Sequence, residues 1–318
     1  MLKIIPLKEE HLEDAAALVS SRYQILHEHE PILPHRYREA HNLLPLLQNI
    51  MRAAPPGVAA IQDGQLVGFL IAWMMPGFRG KRSVYSPEWA NAAQRENCRY
   101  LYEEMYRQIA ADWVADKYIA HYISIFANDL EAIQTWHWLG FGMLGVDAIR
   151  GLGPIEETDT EVDIHRAGIG DIEQVMELHA GLVQHSKGAP DFFITDRFNI
   201  EYFEEWVNST DKIIWLASVN EDPVAFIRVG PANDDVCTII YDQKTTSIYG
   251  AFTQEKMRGK NIATSVLARA IESARGAGYE RCAVDFETMN LLGTRFWLRH
   301  DFKPVCFSLL RYVDERVV

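Results

Sequence analysis

The strongest constraint on the fold is an internal repeat near the end of each half of the chain. Residues 136–141 read WHWLGF and residues 297–302 read WLRHDF, so the first tryptophan and the phenylalanine of the two segments both lie 161 residues apart. A chain of 318 residues is long enough for two domains of ordinary size. We therefore expect two copies of one folding unit, with chance recurrence of common elements as the alternative.

Both halves also open in the same way, with a short strand, an amphipathic helix and a hairpin that has an acidic turn. The strands and helices are 3–7 with 9–22 and 163–167 with 171–182, and the turns read QDGQ at 62–65 and NEDP at 220–223. A stretch rich in Gly, Pro and acidic residues, 151–160, separates the halves. This order predicts an α+β fold with tandem domains at 1–152 and 161–318, each a mixed and mostly antiparallel sheet flanked by helices.

The net charge and the hydropathy of the sequence limit the kinds of binding partner and the cellular compartment that can be expected for this protein. A net charge of −13 opposes binding to the phosphates of nucleic acids or to anionic membranes. The N-terminus lacks the long apolar stretch of a signal peptide, and the apolar run 66–76 is too short to span a bilayer. We therefore expect a cytoplasmic protein with no nucleic-acid or membrane partner, whereas its oligomeric state stays open.

Neither the cysteines nor the histidines have the spacing of metal ligands. The cysteines are Cys98, Cys237, Cys282 and Cys306. Because they form no C-x-x-C pair, they are expected to be reduced and mostly buried. The histidines are dense around His27 and His29, but side chains two residues apart on a helix point in different directions. The sequence therefore predicts no metal site.

An anion-binding loop is predicted in the second half, between a strand that ends at Thr253 and a helix that begins near Ile262. The loop carries the cations Arg258 and Lys260, and the N–H groups at the start of the helix add donors. Gly259 permits a close backbone approach or a positive φ, and residue 261 is an asparagine, which tolerates the left-handed conformation. A diphosphate fits this chemistry.

The segment RGKNIA at 258–263 resembles the R/Q-x-x-G-x-G/A loop of the GCN5-related N-acetyltransferase (GNAT) superfamily, with Asn261 where the family usually has glycine. The resemblance continues through the strand 282–286, Asn290, and the helix that leads to Asp301 and Phe302, so it covers residues 162–318. The tandem arrangement is similar to that of mycothiol synthase and related paired-domain acetyltransferases. The first half looks like a second, degenerate copy.

The resemblance implies that acetyl-CoA is the cosubstrate and that the second half binds it. Its diphosphate is expected on the loop, and its pantetheine along the strand that ends at Thr253. The implied binding residues are Ala251, Phe252, Thr253, Arg258, Gly259, Lys260, Asn261, Ile262, Ala263, Thr264 and Asn290.

The resemblance also implies a reaction in which the amine of a small molecule or peptide attacks the thioester directly. An alkylamine is mostly protonated at pH 7, so a base is needed. Asp285 or Glu287, or Tyr249 through a water molecule, is the expected base, although alternate strand positions can also face solvent or form ion pairs. Trp297 stands where many members of the family have the tyrosine that protonates the leaving thiolate, and an indole N–H donates hydrogen bonds but is a poor acid.

The first half lacks this loop in its sequence. Residues 83–100 contain no glycine and no R-x-x-G-x-G/A spacing, and Pro87 and Glu88 put a rigid turn and a negative charge where phosphates would lie. We expect this half to keep the fold without binding CoA in that mode, in a structural or substrate-shaping role.

Two rival functions stay open beside an N-acetyltransferase. One is a non-catalytic acyl-CoA-binding sensor or scaffold, which the tryptophan at 297 and the silent first half favour. The other is a structural dimer subunit, which requires that the loop at 258–263 bind nothing.

Overall fold

The computed structural model describes residues 1–53, 55–156, 161–194, 198–233 and 237–317. The strands of the first half are β1 (Leu2–Pro6), β2 (Gly57–Gln62), β3 (Gln65–Ile71), β4 (Trp73–Met75), β5 (Ser83–Ser86), β6 (Asn91–Ala93), β7 (Ala120–Phe126) and β8 (Gly142–Gly151). Its helices are α1 (Leu12–His29), α2 (Leu44–Arg52), α3 (Cys98–Ala115) and α4 (Leu130–Trp138).

The second half begins and ends with the same order of elements but has six described strands where the first half has eight. Its strands are β9 (Asp163–Arg166), β10 (Ile213–Val219), β11 (Asp222–Pro231), β12 (Thr245–Thr253), β13 (Arg281–Glu287) and β14 (Lys303–Tyr312). Its helices are α5 (Ile172–Ser186), α6 (Ile200–Asn208), α7 (Ile262–Gly276) and α8 (Leu291–Arg299). The predicted α+β class and tandem arrangement are confirmed. Within the described residues, no helix combines the length and the apolar character needed to cross a membrane.

The chain forms two compact units that do not coincide with its two contiguous halves. Unit 1 consists of residues 1–147, 237–239 and 304–318, and unit 2 consists of 148–236 and 240–303. The sequence-based domains 1–152 and 161–318 differ from these units chiefly in β14, most of which lies in unit 1, and the domain bounds stay a prediction. A strand pattern shows which residues are strand-like but not which sheet they join. Part of the predicted linker, 157–160, lies outside the described residues.

Unit 1 packs its core around α3 and completes it with β14. One sheet has the order β1-β2-β3-β6, and a second set of strands runs β4-β5-β7-β14. β14 pairs antiparallel with β7, with Leu309 opposite Ile123. The core includes Met105, Ile109, Trp113, Ile123, Trp136 and Leu309. The second half thus supplies a core strand to unit 1.

A hydrogen-bonded chain of polar side chains crosses the core of unit 1. Arg311 of β14 donates to the Tyr106 hydroxyl at 3.2 Å, and that hydroxyl contacts His121 Nδ1 at 2.8 Å. His121 Nε2 lies 3.0 Å from the Tyr118 carbonyl, which only accepts. His121 is therefore protonated at Nε2 and accepts at Nδ1, in its neutral form. Burial lowers the pKa of His121 from 6.5 to about 4.

Acid is expected to destabilise unit 1 through His121. The unfolded chain takes up this proton near pH 6.5, whereas the folded chain resists it down to about pH 4. Stability is therefore full above pH 6.5 and falls as the pH drops through this window, by about 2 kcal/mol at pH 5. Urea unfolding at pH 7.5 and pH 5 measures the loss, and the variant His121→Gln should remove this part of it. An equal acid loss in His121→Gln would contradict the assignment.

Unit 2 is a sheet of order β13-β12-β11-β10-β9 with α5 and α6 packed against it. Its strands pair antiparallel except for β12 and β13, which run parallel. The parallel ladder extends only from Thr245↔Arg281 to Ile248↔Val284. β12 continues to Thr253 along β11, so beyond Ile248 it leaves β13 and the sheet opens.

Local backbone geometry repeats between the units. The hairpin turns carry positive φ at Asp63 and Gly64 in unit 1 and at Asn220 and Glu221 in unit 2. Each hairpin has a register shift at the same distance before its turn, at 60/61 and 217/218. The helices α4 and α8 both begin with a side-chain cap, Asp129 and Asn290 respectively. The two units are therefore copies of one fold.

Candidate active site

The opening between β12 and β13 is fixed from the other side of β12 by a buried arginine. Arg228 of β11 donates to the Tyr249 carbonyl at 2.6 Å and to the Tyr202 hydroxyl at 2.7 Å. Its guanidinium lies over the rings of Phe198 and Trp206, at 5.1 and 5.2 Å from their centroids. Burial lowers the pKa of Arg228, but a guanidinium stays charged over the physiological range. This cation therefore holds the carbonyl at which the strands diverge.

Gly250 is required at this point of β12. Its φ is +154°, and a Cβ here would lie 2.9 Å from Arg228 Nη2. The ladder between β11 and β12 shifts register at the same place, between Arg228 and Val229. A strand bulge with a glycine redirects the backbone groups that follow it. Residues 251–253 consequently present one edge of their backbone to the opening instead of to β13.

The predicted phosphate loop has the backbone geometry that the sequence suggests. Gly259 has φ +74°, and Asn261, the N-cap of α7, is left-handed with φ 61°. Arg258 is anchored because its Nε donates to the Thr253 carbonyl at 3.1 Å, and its guanidinium lies 5.8 Å from the Phe252 ring centroid. The loop thus places an oriented cation beside the first turn of α7, where N–H groups lack helical partners.

A cavity of about 380 Å³ joins the loop to the opening in the sheet. Of the residues predicted to bind the cosubstrate, it is lined by Ala251, Phe252, Thr253, Arg258, Gly259, Asn261, Ile262, Ala263, Thr264 and Asn290. Lys260 is not among the lining residues. The structure thus brings together side chains from β12, the loop, α7 and the N-cap of α8, in a volume typical of small-molecule sites.

The predicted catalytic residues divide into one that lines the cavity and three that do not. Trp297 lines it and is 6% exposed. Asp285 is exposed and Glu287 is half-buried, and both lie on β13 beyond its last pair with β12. The Tyr249 hydroxyl donates to the Pro231 carbonyl at 2.6 Å. The roles of Asp285, Glu287, Tyr249 and Trp297 stay predictions.

Helix α8 forms one wall of the cavity and is fixed at both ends. The Asn290 side chain accepts from the Gly293 N–H at 2.8 Å. At the other end, His300 Nδ1 lies 2.8 Å from the Phe296 carbonyl, and its Nε2 lies 3.1 Å from the Thr264 hydroxyl. Burial lowers the pKa of His300, which favours the neutral ring with Nδ1 as donor and Nε2 as acceptor. The last turn of α8 is thereby held against the first turn of α7.

The corresponding region of unit 1 is built differently. The N–H groups of Gln94 and Gln254 bond to equivalent carbonyls of β3 and β11, and Asn97 and Asn261 are the left-handed N-caps that follow. Two residues lie between Gln94 and Asn97, whereas six lie between Gln254 and Asn261. The loop of unit 1 is therefore four residues shorter than the loop of unit 2. The segment that carries Arg258 and Gly259 in unit 2 has no counterpart between residues 94 and 97.

A salt bridge in unit 1 also occupies the place of two cavity residues of unit 2. Arg22 and Asp129 pair at positions that correspond to Leu182 and Asn290, and both side chains are nearly buried. Leu182 and Asn290 line the cavity. The shorter loop and this ion pair both support the prediction that unit 1 does not bind CoA in the same mode.

Sequence reasoning missed more than half of the residues that line the cavity, among them five with long or polar side chains. These five are Leu182 and His185 of α5, Arg295 and Arg299 of α8, and His300. The α5 residues carry no local signal, because their place in the wall depends on how α5 packs across the sheet. Arg295 and Arg299 do carry a local signal in the sequence, because two cations four residues apart lie on the same face of a helix.

Comparison with known proteins finds one family whose model matches the residues of this site. The model of the acetyltransferase (GNAT) family matches residues 181–302. No functionally curated protein matches the chain in sequence.

Solved structures show the same fold at low sequence identity. A GCN5-related N-acetyltransferase from Sphaerobacter thermophilus is 11% identical with a TM-score of 0.61, over 98% of this chain and 95% of that one. The glucosamine N-acetyltransferase region of a fungal multi-domain GH3 β-N-acetylglucosaminidase is 12% identical with a TM-score of 0.57, over 98% and 38%. A tandem GNAT protein from the clavulanic acid biosynthesis pathway is 11% identical with a TM-score of 0.50, over 98% of both chains.

Proposed function

We propose that this chain is an N-acetyltransferase that moves the acetyl group of acetyl-CoA to an amine of a small molecule or peptide. The match of the acetyltransferase (GNAT) family model to residues 181–302 supports acyl transfer. The observation that carries the proposal is the loop at 258–263. It combines an anchored arginine, a glycine and an asparagine in left-handed conformations, and the N-terminus of α7 at one end of the cavity.

In this proposal the cosubstrate follows the cavity from the loop to the opening in the sheet. Its diphosphate accepts from the N–H groups at the start of α7 and from Arg258. Its pantetheine amides pair with the backbone edge of residues 251–253, which β13 does not cover. The thioester then reaches the bulge near Gly250, where a backbone N–H can polarise its carbonyl.

Acetyl transfer to an amine needs a base that accepts the amine proton and a leaving group that departs without protonation by a general acid. The neutral amine attacks the thioester carbonyl, the tetrahedral intermediate collapses, and the C–S bond breaks to release CoA thiolate. Trp297 can offer its indole N–H as a hydrogen bond to the sulfur but cannot transfer that proton readily. The thiolate is a competent leaving group near neutral pH, so the reaction does not require the missing tyrosine.

We expect Asp285 or Glu287 to remove the proton of the attacking amine. Replacing the responsible residue, by Asp285→Asn or Glu287→Gln, should lower kcat/KM by roughly 100-fold or more. The Kd for acetyl-CoA should not change, because neither side chain lines the cavity. Thiol release measured with Ellman's reagent gives kcat/KM, and Tyr249→Phe tests the route through water. If all three variants keep full activity, His185, which does line the cavity, becomes the residue to test.

The rival function, a non-catalytic acyl-CoA-binding sensor or scaffold, is distinguished by turnover. Purified protein is titrated with acetyl-CoA by calorimetry and then incubated with a panel of small amines and peptides while free thiol is measured. Binding at one site per chain with thiol release that depends on an amine supports the acetyltransferase. Tight binding without thiol release for any amine favours the sensor. No binding would mean that the loop is a structural turn, and both functions would be wrong.

A further inference from the structure

Four cations lie on the loop and on α8, the two elements at the phosphate end of the cavity, and three of them line it. They are Arg258 and Lys260 of the loop and Arg295 and Arg299 of α8. Among the residues that the structure describes, none of the four forms an ion pair. This is notable in a chain with 44 acidic and 31 basic side chains, where a random cation is more often near an acid than near another base. Such a cluster repels itself unless an anion is bound.

Arg295 and Arg299 of α8 lie outside the loop that is proposed to bind the diphosphate, so that role does not account for them. Both line the cavity, both are exposed, and they stand four residues apart on one helix face. Like charges at this spacing destabilise a helix. Arg299 lies in the last turn, where a cation favours the helix dipole, but Arg295 lies a full turn earlier and has no such compensation. The helix thus keeps an unfavourable pair on the face that it turns to the cavity.

The position of this pair relative to the loop is fixed. His300, which follows Arg299 directly, bonds to the Thr264 hydroxyl in the first turn of α7. The C-terminal turn of α8 therefore lies beside the turn whose N–H groups face the phosphate loop. Two sets of hydrogen-bond donors therefore lie at the same end of one cavity, one made of backbone N–H groups with Arg258 and one made of two guanidinium groups.

We propose that Arg295 and Arg299 bind the 3′-phosphate of the CoA ribose, so that the site distinguishes CoA from dephospho-CoA. This inference rests on the proposed function. CoA carries a diphosphate, which the loop accommodates, and a separate terminal phosphate with up to two negative charges. Guanidinium groups match a terminal phosphate because their N–H donors form paired hydrogen bonds to its oxygens.

The test is a calorimetric titration of the full chain with CoA and with dephospho-CoA, which differ only in the 3′-phosphate. Wild-type protein should bind CoA roughly 10- to 100-fold more tightly, as expected for charge-assisted hydrogen bonds. The double variant Arg295→Gln/Arg299→Gln should bind the two ligands alike, with the affinity of the wild type for dephospho-CoA. Arg275→Gln, at an exposed position at the end of α7 outside the cavity, is the matched control and should keep the full preference.

The outcomes separate this inference from the proposed function. Retained binding of dephospho-CoA by the double variant shows that the protein is folded and the diphosphate loop intact. A wild type that binds both ligands equally, or a double variant that still prefers CoA, overturns the role of Arg295 and Arg299 while leaving acetyl-CoA binding in place. A wild type that binds neither ligand overturns the proposed function and this inference together.

Discussion

Reversing the charge of Arg258, by Arg258→Glu, is expected to weaken acetyl-CoA binding by at least roughly 100-fold. The change removes a charge-assisted hydrogen bond to the diphosphate and puts a carboxylate beside two negative phosphates. It also removes the bond from Arg258 Nε to the Thr253 carbonyl, which links the loop to the end of β12. Calorimetric titration of acetyl-CoA into both proteins measures the change.

The matched control is Arg95→Glu in unit 1. Arg95 is exposed and lies in the short loop before α3, at the place in the repeat that corresponds to the phosphate loop. This variant should bind one acetyl-CoA per chain with wild-type affinity. If Arg95→Glu weakens binding as much as Arg258→Glu does, or if the wild type binds two molecules, the assignment of the site to unit 2 alone is wrong.

Truncating one side chain of β14, by Leu309→Ala, should lower the free energy of unfolding of unit 1 by about 2 to 5 kcal/mol. Leu309 is fully buried in the core of unit 1, opposite Ile123 of β7. The neighbouring variant Leu310→Ala is the control, because Leu310 is only half-buried and points to the other face of the strand. Its effect should be clearly smaller.

Acetyl-CoA identifies which unfolding transition belongs to which unit. A ligand that binds the folded state of unit 2 raises the transition of that unit, so the transition that acetyl-CoA does not shift reports unit 1. Calorimetric scans with and without acetyl-CoA then show where Leu309→Ala acts. An effect confined to the acetyl-CoA-sensitive transition would mean that β14 stabilises unit 2 instead.

Features that depend on local backbone geometry could be predicted from the sequence. Gly259 and Asn261 are residue types that adopt positive φ, and both do so in the loop. The helix that begins at Ile262 follows from its apolar periodicity and from the change in residue types before it. The loop and the helix start are short-range patterns, and the repeat is a similarity between two short segments, so a single sequence records all three directly.

Features that depend on packing between distant segments could not be predicted. β14 lies in unit 1 because it pairs with a strand of that unit. The alternation of residues along a strand does not specify which strand it pairs with, so this pairing could not be predicted. The contribution of His185 to the cavity depends on the path of α5 across the sheet. Asp285 and Glu287 were selected for their position on a strand next to the site, and the structure places them at the edge of the opening, outside the cavity wall.

The assignment of residues 304–318 to unit 1 has a consequence for the order of events during synthesis. A ribosome releases the earlier residues first, yet β7 of unit 1 lacks its neighbour β14 until residues 303–312 have left the exit tunnel. Unit 1 therefore cannot complete its native core before residues 304–318 have emerged, although most of its residues emerge before those of unit 2. Unit 2, complete by residue 303, has all of its own residues earlier. Of the two units, the one that begins earlier in the chain is consequently the one whose residues are complete later.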